Sequence, residues 1–133
     1  MAKLSAKVEK WFKIPGDEDG AELKILHLKP GEVQRIEAET SRWVGKSAGD
    51  DFVSELEYDP YGQLRRLRLA AVVGWKGFLG EDGDNLDCNS KNKELFMKED
   101  PVLGEKRLSE WIDYFRKQLA DSLKLQEEEA EGN

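Results

Sequence analysis

The chain has 133 residues, a formal net charge of −7 at pH 7 and a sequence pI near 4.9. That length suits one domain with one core, and the acidic balance argues against nucleic-acid binding, which requires a basic face. The single cysteine excludes an internal disulfide, and neither a secretory signal pattern nor a membrane-spanning apolar run is present. We therefore expect a soluble cytoplasmic protein that does not bind membranes.

Two strand-like segments open the chain. Residues 7–14, KVEKWFKI, are closed by Pro15-Gly16, and residues 22–28, ELKILHL, follow the turn-like GDEDG. The pair predicts an N-terminal β-hairpin with a loop longer than two residues. The apolar side chains of the second strand switch faces, which suggests a β-bulge.

The next two segments differ in period. Residues 29–43, KPGEVQRIEAETSRW, place Val33, Ile36, Thr40 and Trp43 at helical spacing and predict one amphipathic helix. In residues 52–59, FVSELEYD, the side chains on the two sides differ in polarity with a period of two, which predicts a strand with one solvent-exposed face.

Residues 61–73, YGQLRRLRLAAVV, fit both a helix and a strand. We favour a helix because Asp59 can cap it and Pro60 suits its first position. A short helix is expected over residues 89–100, capped by Asn89 or Ser90.

The last helix is the most regular element of the sequence. Its inward-facing residues follow the i, i+3, i+4, i+7 rule in a region that begins at Asp100-Pro101: Leu108, Trp111, Ile112, Phe115, Leu119 and Ser122 or Leu123. After Leu125 the acidic QEEEAEGN predicts a disordered tail over residues 126–133. The expected fold is α+β, a short N-terminal β-hairpin or small sheet packed with three to four helices in one domain, residues 1–125.

The sequence contains no complete motif for catalysis, a cofactor or a metal; a catalytic pair of Cys88 and His27 stays arithmetically open, but His27 stands in an apolar, strand-like run that is typical of packing residues. The VGKS run at residues 44–47 lacks the glycine that a phosphate loop requires five positions before Gly45, where Thr40 stands. The acidic turns lack the spacing of a calcium loop, and one histidine, His27, with one cysteine, Cys88, cannot assemble a zinc site. We predict no catalytic, cofactor-binding or metal residues; a small enzyme or nucleotide binder is the second alternative.

The candidate partner-binding residues lie between positions 60 and 80, which contain no acidic residue. Arg65, Arg66 and Arg68 form either a solvated helix face paired with acidic neighbours such as those at 81–87, or a docking patch for an acidic protein. Trp75 and Phe78 stand among glycines that free the backbone, and they either plug the core or anchor another subunit.

Residues 70–103, AAVVGWKGFLGEDGDNLDCNSKNKELFMKEDPVL, resemble a pattern of small tail-assembly proteins of long-tailed phages and prophages. The matching positions are Val73, Trp75, Gly77, Glu81-Asp82-Gly83, Cys88, Asn92-Lys93, Leu95, Asp100-Pro101 and Leu103. The N-terminal WFKIPGDEDGAELKILHLKPGEV is similar to the strand and helix opening of that group, so the likeness covers residues 7–118.

This resemblance implies a tail assembly chaperone. Such a protein works without catalysis in the cytoplasm of the bacterial host, where it binds the tape-measure protein or the tail tube subunits. A structural subunit of a phage tail or connector, retained in the virion, is the first alternative. A homo-oligomer is compatible with either role.

Overall fold

The computed structural model describes the backbone of residues 7–49 and 51–131, with the side chains of residues 7–45, 49 and 53–125. The fold is α+β, as the sequence predicted, with four helices and several small antiparallel sheets. In chain order the elements are β1 (Glu9–Lys13), β2 (Glu22–Leu26), α1 (Pro30–Glu39), β3 (Ser41–Ala48), β4 (Asp51–Tyr58), α2 (Pro60–Ala71), β5 (Val72–Lys76), α3 (Ser90–Glu99), β6 (Val102–Leu103), β7 (Lys106–Arg107) and α4 (Leu108–Glu131).

The chain forms two compact units. One contains the N-terminal residues up to His27 together with the chain from Arg68 onward, and the other is Leu28–Leu67. The boundary therefore falls within α2. The single domain that the sequence predicts over residues 1–125 stays a prediction.

The first unit is built on a three-stranded antiparallel sheet with the order β1-β2-β5. The predicted N-terminal hairpin is confirmed, and the predicted irregularity is a register shift between Lys24 and Ile25 where β2 meets β5. Strand β5 was missed, because Val72–Lys76 was assigned to a helix end and a glycine-rich loop. Its pairing partner β2 lies far earlier in the chain, so the strand spacing noted within residues 61–73 could not by itself decide between helix and strand.

Two helices complete the first unit. The side chain of Asn89 accepts a hydrogen bond from the Asn92 amide and begins α3, as predicted. Of the apolar stripe predicted for the last helix, the residues from Leu108 to Leu119 are buried in α4, whereas Leu123 is only half-buried and Ser122 is exposed. Phe12 of β1 stacks on Phe115 with ring centroids 4.7 Å apart.

Helix α4 begins and ends later than the sequence suggested. The β6–β7 hairpin separates Asp100-Pro101 from α4, and the Asp100 carboxylate reaches forward to accept a hydrogen bond from the Ser109 amide at 3.1 Å. The backbone of α4 continues to Glu131 through most of the segment for which disorder was predicted. Glutamate, glutamine and alanine are strong helix formers, which favours continuation of a helix already begun. Gly132 and Asn133 lie outside the described residues.

In the second unit α1 ends at Glu39, so the predicted helix over residues 29–43 is too long. The hydroxyl group of Thr40 donates a hydrogen bond to the Ile36 carbonyl at 2.7 Å, and that of Ser41 donates to the Glu37 carbonyl at 2.6 Å. These side chains give hydrogen-bond partners to carbonyl groups in the last turn of the helix. The chain then turns into β3 and carries Trp43 into a strand.

Strands β3 and β4 form a two-stranded antiparallel sheet that includes the predicted strand at 52–59 and the unpredicted β3. Ala48 pairs with Asp51, so two residues connect the strands, and Gly49 has the positive φ of 65° that short hairpin connections need. The VGKS run lies within β3. The Asp59 cap of α2 is confirmed, since its Oδ1 accepts from the Gly62 amide at 2.9 Å.

Candidate protein-binding surfaces

Trp75 and Phe78 belong to an aromatic cluster inside the first unit. Their rings stack with centroids 4.8 Å apart, and both contact the edge or face of Phe96 at 5.2 Å. The indole nitrogen of Trp75 donates a hydrogen bond to the Leu86 carbonyl at 2.7 Å. Phe78 is only 3% exposed, so in this conformation it offers no surface to a partner, whereas half-buried Trp75 retains some exposure. Partner binding by either residue stays a prediction.

The acidic loop after Phe78 is held by its own hydrogen bonds. The Leu86 amide donates to the Phe78 carbonyl and the Gly80 amide donates to the Asp84 carbonyl, both at 2.9 Å. The Asp82 carboxylate accepts from the Asp84 amide at 3.1 Å. These contacts make the segment a structured turn, and within the described residues no group of three acidic, His or Cys side chains could hold a metal ion.

Two of the three candidate arginines are committed to ion pairs within their own units. Arg66 pairs with Glu39 in the second unit, and Arg68 pairs with Asp113 in the first. Their partners are therefore not the acids at 81–87 that the sequence suggested. Arg65 is exposed. The arginine run thus does not form one uniform docking patch.

The ion pairs shift the pKa values of their members. A hydrogen bond from Arg66 is the main cause that lowers the pKa of Glu39. A hydrogen bond to Asp113 is the main cause that raises the pKa of Arg68. Both shifts favour the charged forms, so both pairs are intact near neutral pH.

Asn92 and Lys93, which carry part of the resemblance, have structural contacts in the first unit. The Asn92 side-chain amide donates to the Asp87 carbonyl at 2.9 Å. The Lys93 ammonium donates to the Leu69 and Val72 carbonyls at 3.0 and 3.2 Å, where α2 gives way to β5. Burial raises the pKa of the nearby Cys88 thiol, and the positive charge of Lys93 opposes this rise. Because the raised pKa favours the neutral form, the thiol stays protonated and weakly nucleophilic.

The β3–β4 hairpin presents an apolar surface that the sequence analysis missed. Trp43 lies opposite Leu56, and Tyr58 lies opposite Ser41, so the three apolar side chains share one face of the sheet. Trp43 is 72% exposed, Tyr58 63% and Leu56 37%. We call these three residues the hairpin face. The available signal was Gly49-Asp50, a two-residue turn between segments that can pair.

Two further findings bear on the setting of these surfaces. In the described chain, no helix has the length and hydropathy needed to cross a membrane. Comparison with protein families, with curated proteins and with solved structures found no match to this chain.

Proposed function

We propose that this protein acts by binding another polypeptide, as a tail assembly chaperone of a phage or prophage in the cytoplasm of a bacterial host. The observation that carries the binding role is the exposed hairpin face of Trp43, Leu56 and Tyr58. Tryptophan and tyrosine are the residues that most often dominate the energy of protein interfaces.

The hairpin face has the character of a binding surface because it concentrates large apolar groups on one side of a small sheet. The other side carries charge, with Arg42 opposite Glu57 at an Nη2–Oε2 distance of 3.7 Å. A two-stranded sheet is marginally stable in water without packing on one face. Clustered exposed apolar groups with a polar surround mark interaction sites.

The resemblance over residues 7–118 supports the more specific role of a tail assembly chaperone. Its partner is then the tape-measure protein or the tail tube subunits, whose apolar surfaces must be covered before assembly. The net charge of −7 suits that task, because a charged body keeps a bound apolar partner dispersed by mutual repulsion.

The test is capture of the partner by a variant that keeps its fold. A phage tape-measure protein, the proposed partner, is co-expressed with the wild type, with Trp43→Ser/Tyr58→Ser and with the control Val102→Ser, which changes an apolar residue 66% exposed in β6. We expect the double variant to lose capture while its circular dichroism and Tm match those of the control. Equal capture by all three proteins contradicts the proposal.

The transient role is tested separately by mass spectrometry of purified virions and infected-cell lysate. We expect the protein in the lysate and its absence from finished particles. A stoichiometric amount in virions assigns it instead to the tail or connector structure.

A further inference from the structure

We propose that the β3–β4 hairpin joins copies of this chain edge to edge, with the outer edge of β3 in one copy paired to the outer edge of β4 in the next. The contact lies entirely within residues 41–58. It uses the backbone edges of the hairpin rather than the hairpin face, so it goes beyond the proposed function and leaves that face available to a partner.

The two strand edges are built for pairing. β3 and β4 have eight residues each, are the longest strands in the described chain, and pair through eight successive positions without a register shift. Because their sheet contains these two strands alone among the described residues, each keeps one edge without a strand partner. Natural edge strands are commonly protected by proline, a bulge, short length or charged side chains. Of these devices the two strands carry only charge, and the charges on β3 and β4 are opposite in sign.

The opposite charges of the two strands favour a second copy of this chain as the partner that pairs with the open edges. The sequence of β3, SRWVGKSA, contains two basic residues and no acidic one. The sequence of β4, DFVSELEY, contains three acidic residues and no basic one. Pairing two β3 edges, or two β4 edges, opposes like charges, whereas pairing β3 with β4 opposes unlike charges. The hairpin already shows this complementarity in the Arg42–Glu57 pair.

The side-chain alternation sets the register of the contact. A register that keeps the Trp43 side of successive hairpins on a common face extends the apolar surface across copies. A slip of one residue would place these aromatic groups among charged side chains. Because the contact joins two different edges, addition of one copy leaves both kinds of edge open and association is not limited to a dimer.

Crosslinking between two single-cysteine variants tests which edges meet. In a Cys88→Ser background, Val44→Cys marks β3 and Val53→Cys marks β4, at positions on the same face of the hairpin. The mixture is treated with a bismaleimide. We expect a crosslinked dimer in the mixture and its loss in either variant alone. Equal crosslinking in the separate samples overturns the proposal, and so does a monomer by sedimentation at every concentration.

A charge reversal provides the second arm. Glu55→Lys on β4 should weaken self-association by roughly fivefold, the scale of one exposed ion pair. The control Glu110→Lys reverses an exposed acid of α4 and should leave association unchanged. Urea unfolding verifies that each variant is folded. If Glu55→Lys has no effect while Trp43→Ser abolishes association, copies meet through the hairpin face and edge pairing is wrong, whatever the result of partner capture.

Discussion

Arg68 and Asp113 form a two-point ion pair that ties the end of α2 to α4. The Nε–Oδ1 distance is 3.0 Å and the Nη2–Oδ2 distance is 2.6 Å. This fork geometry is the strongest form of an arginine–carboxylate contact. The sequence marked Arg68 as a candidate docking residue, yet in the structure it binds the last turn of α2 to α4 within the first unit.

Arg68→Ala should therefore reduce stability. The side chains are 21% and 39% exposed, so solvent screens the pair in part, and we expect a loss of about 1–2 kcal/mol in the free energy of unfolding. Arg116, with its Nη1 3.7 Å from Asp113, limits the loss by remaining beside the carboxylate. Urea denaturation measures the change. Arg65→Ala, an exposed position in the same helix, is the control, and equal losses in the two variants would refute a structural role for Arg68.

The aromatic cluster gives a graded prediction. Trp75→Phe keeps a ring but removes the hydrogen bond to the Leu86 carbonyl, so it should cost about 1 kcal/mol of unfolding free energy. Phe78→Ala empties a buried site and should cost about 3–5 kcal/mol. Leu79→Ala, half exposed beside the cluster, should cost much less. Thermal and chemical unfolding test this order.

A different result would restore the docking role of these residues. If Trp75→Phe or Phe78→Ala lost partner capture while the free energy of unfolding stayed at the wild-type value, the aromatic pair would be an anchor for another protein. The buried position of Phe78 argues for the opposite outcome.

The sequence predicted those parts of the fold that are encoded locally. The capping side chains of Asp59 and Asn89 each bind a backbone amide only three positions later in the chain. The apolar stripe of α4 repeats along a single helix. Such signals need no knowledge of the rest of the chain. The N-terminal hairpin was also accessible, because its strands are neighbours in sequence.

The missed elements depend on partners that the sequence does not identify. Val72–Lys76 becomes a strand because it meets β2, and residues 41–48 become a strand because they meet β4. Tertiary pairing overrides a local preference in both places. The same reason explains why the sequence analysis did not find the ion-pair partners of Arg66 and Arg68. Both partners are acids that lie far away in the sequence.

The turn between β6 and β7 predicts a strong dependence on glycine. Gly104 has a φ of 59°, and an added Cβ would fall on the carbonyl oxygen of Pro15. Gly83 has a φ of 83° with nothing within 4 Å of the added atom. Gly83→Ala should therefore cost about 1–2 kcal/mol of unfolding free energy through its backbone conformation alone, and Gly104→Ala should cost more because backbone atoms must move. Urea unfolding compares the two, and equal costs would contradict the close approach.

The Glu39–Arg66 pair predicts a pH dependence in the second unit. Because Arg66 holds the pKa of Glu39 below its ordinary value of 4.5, the stabilisation is present above that value and is lost as the pH falls through the lower, folded-state pKa. Carboxyl-detected NMR titration should show Arg66→Gln raising the pKa of Glu39. Arg35, whose Nη1 lies 3.4 Å from the Glu39 carboxylate, should keep the pKa from returning fully. Arg65→Gln is the control, and an equal rise in that variant would show that general charge rather than the Arg66 contact sets the pKa.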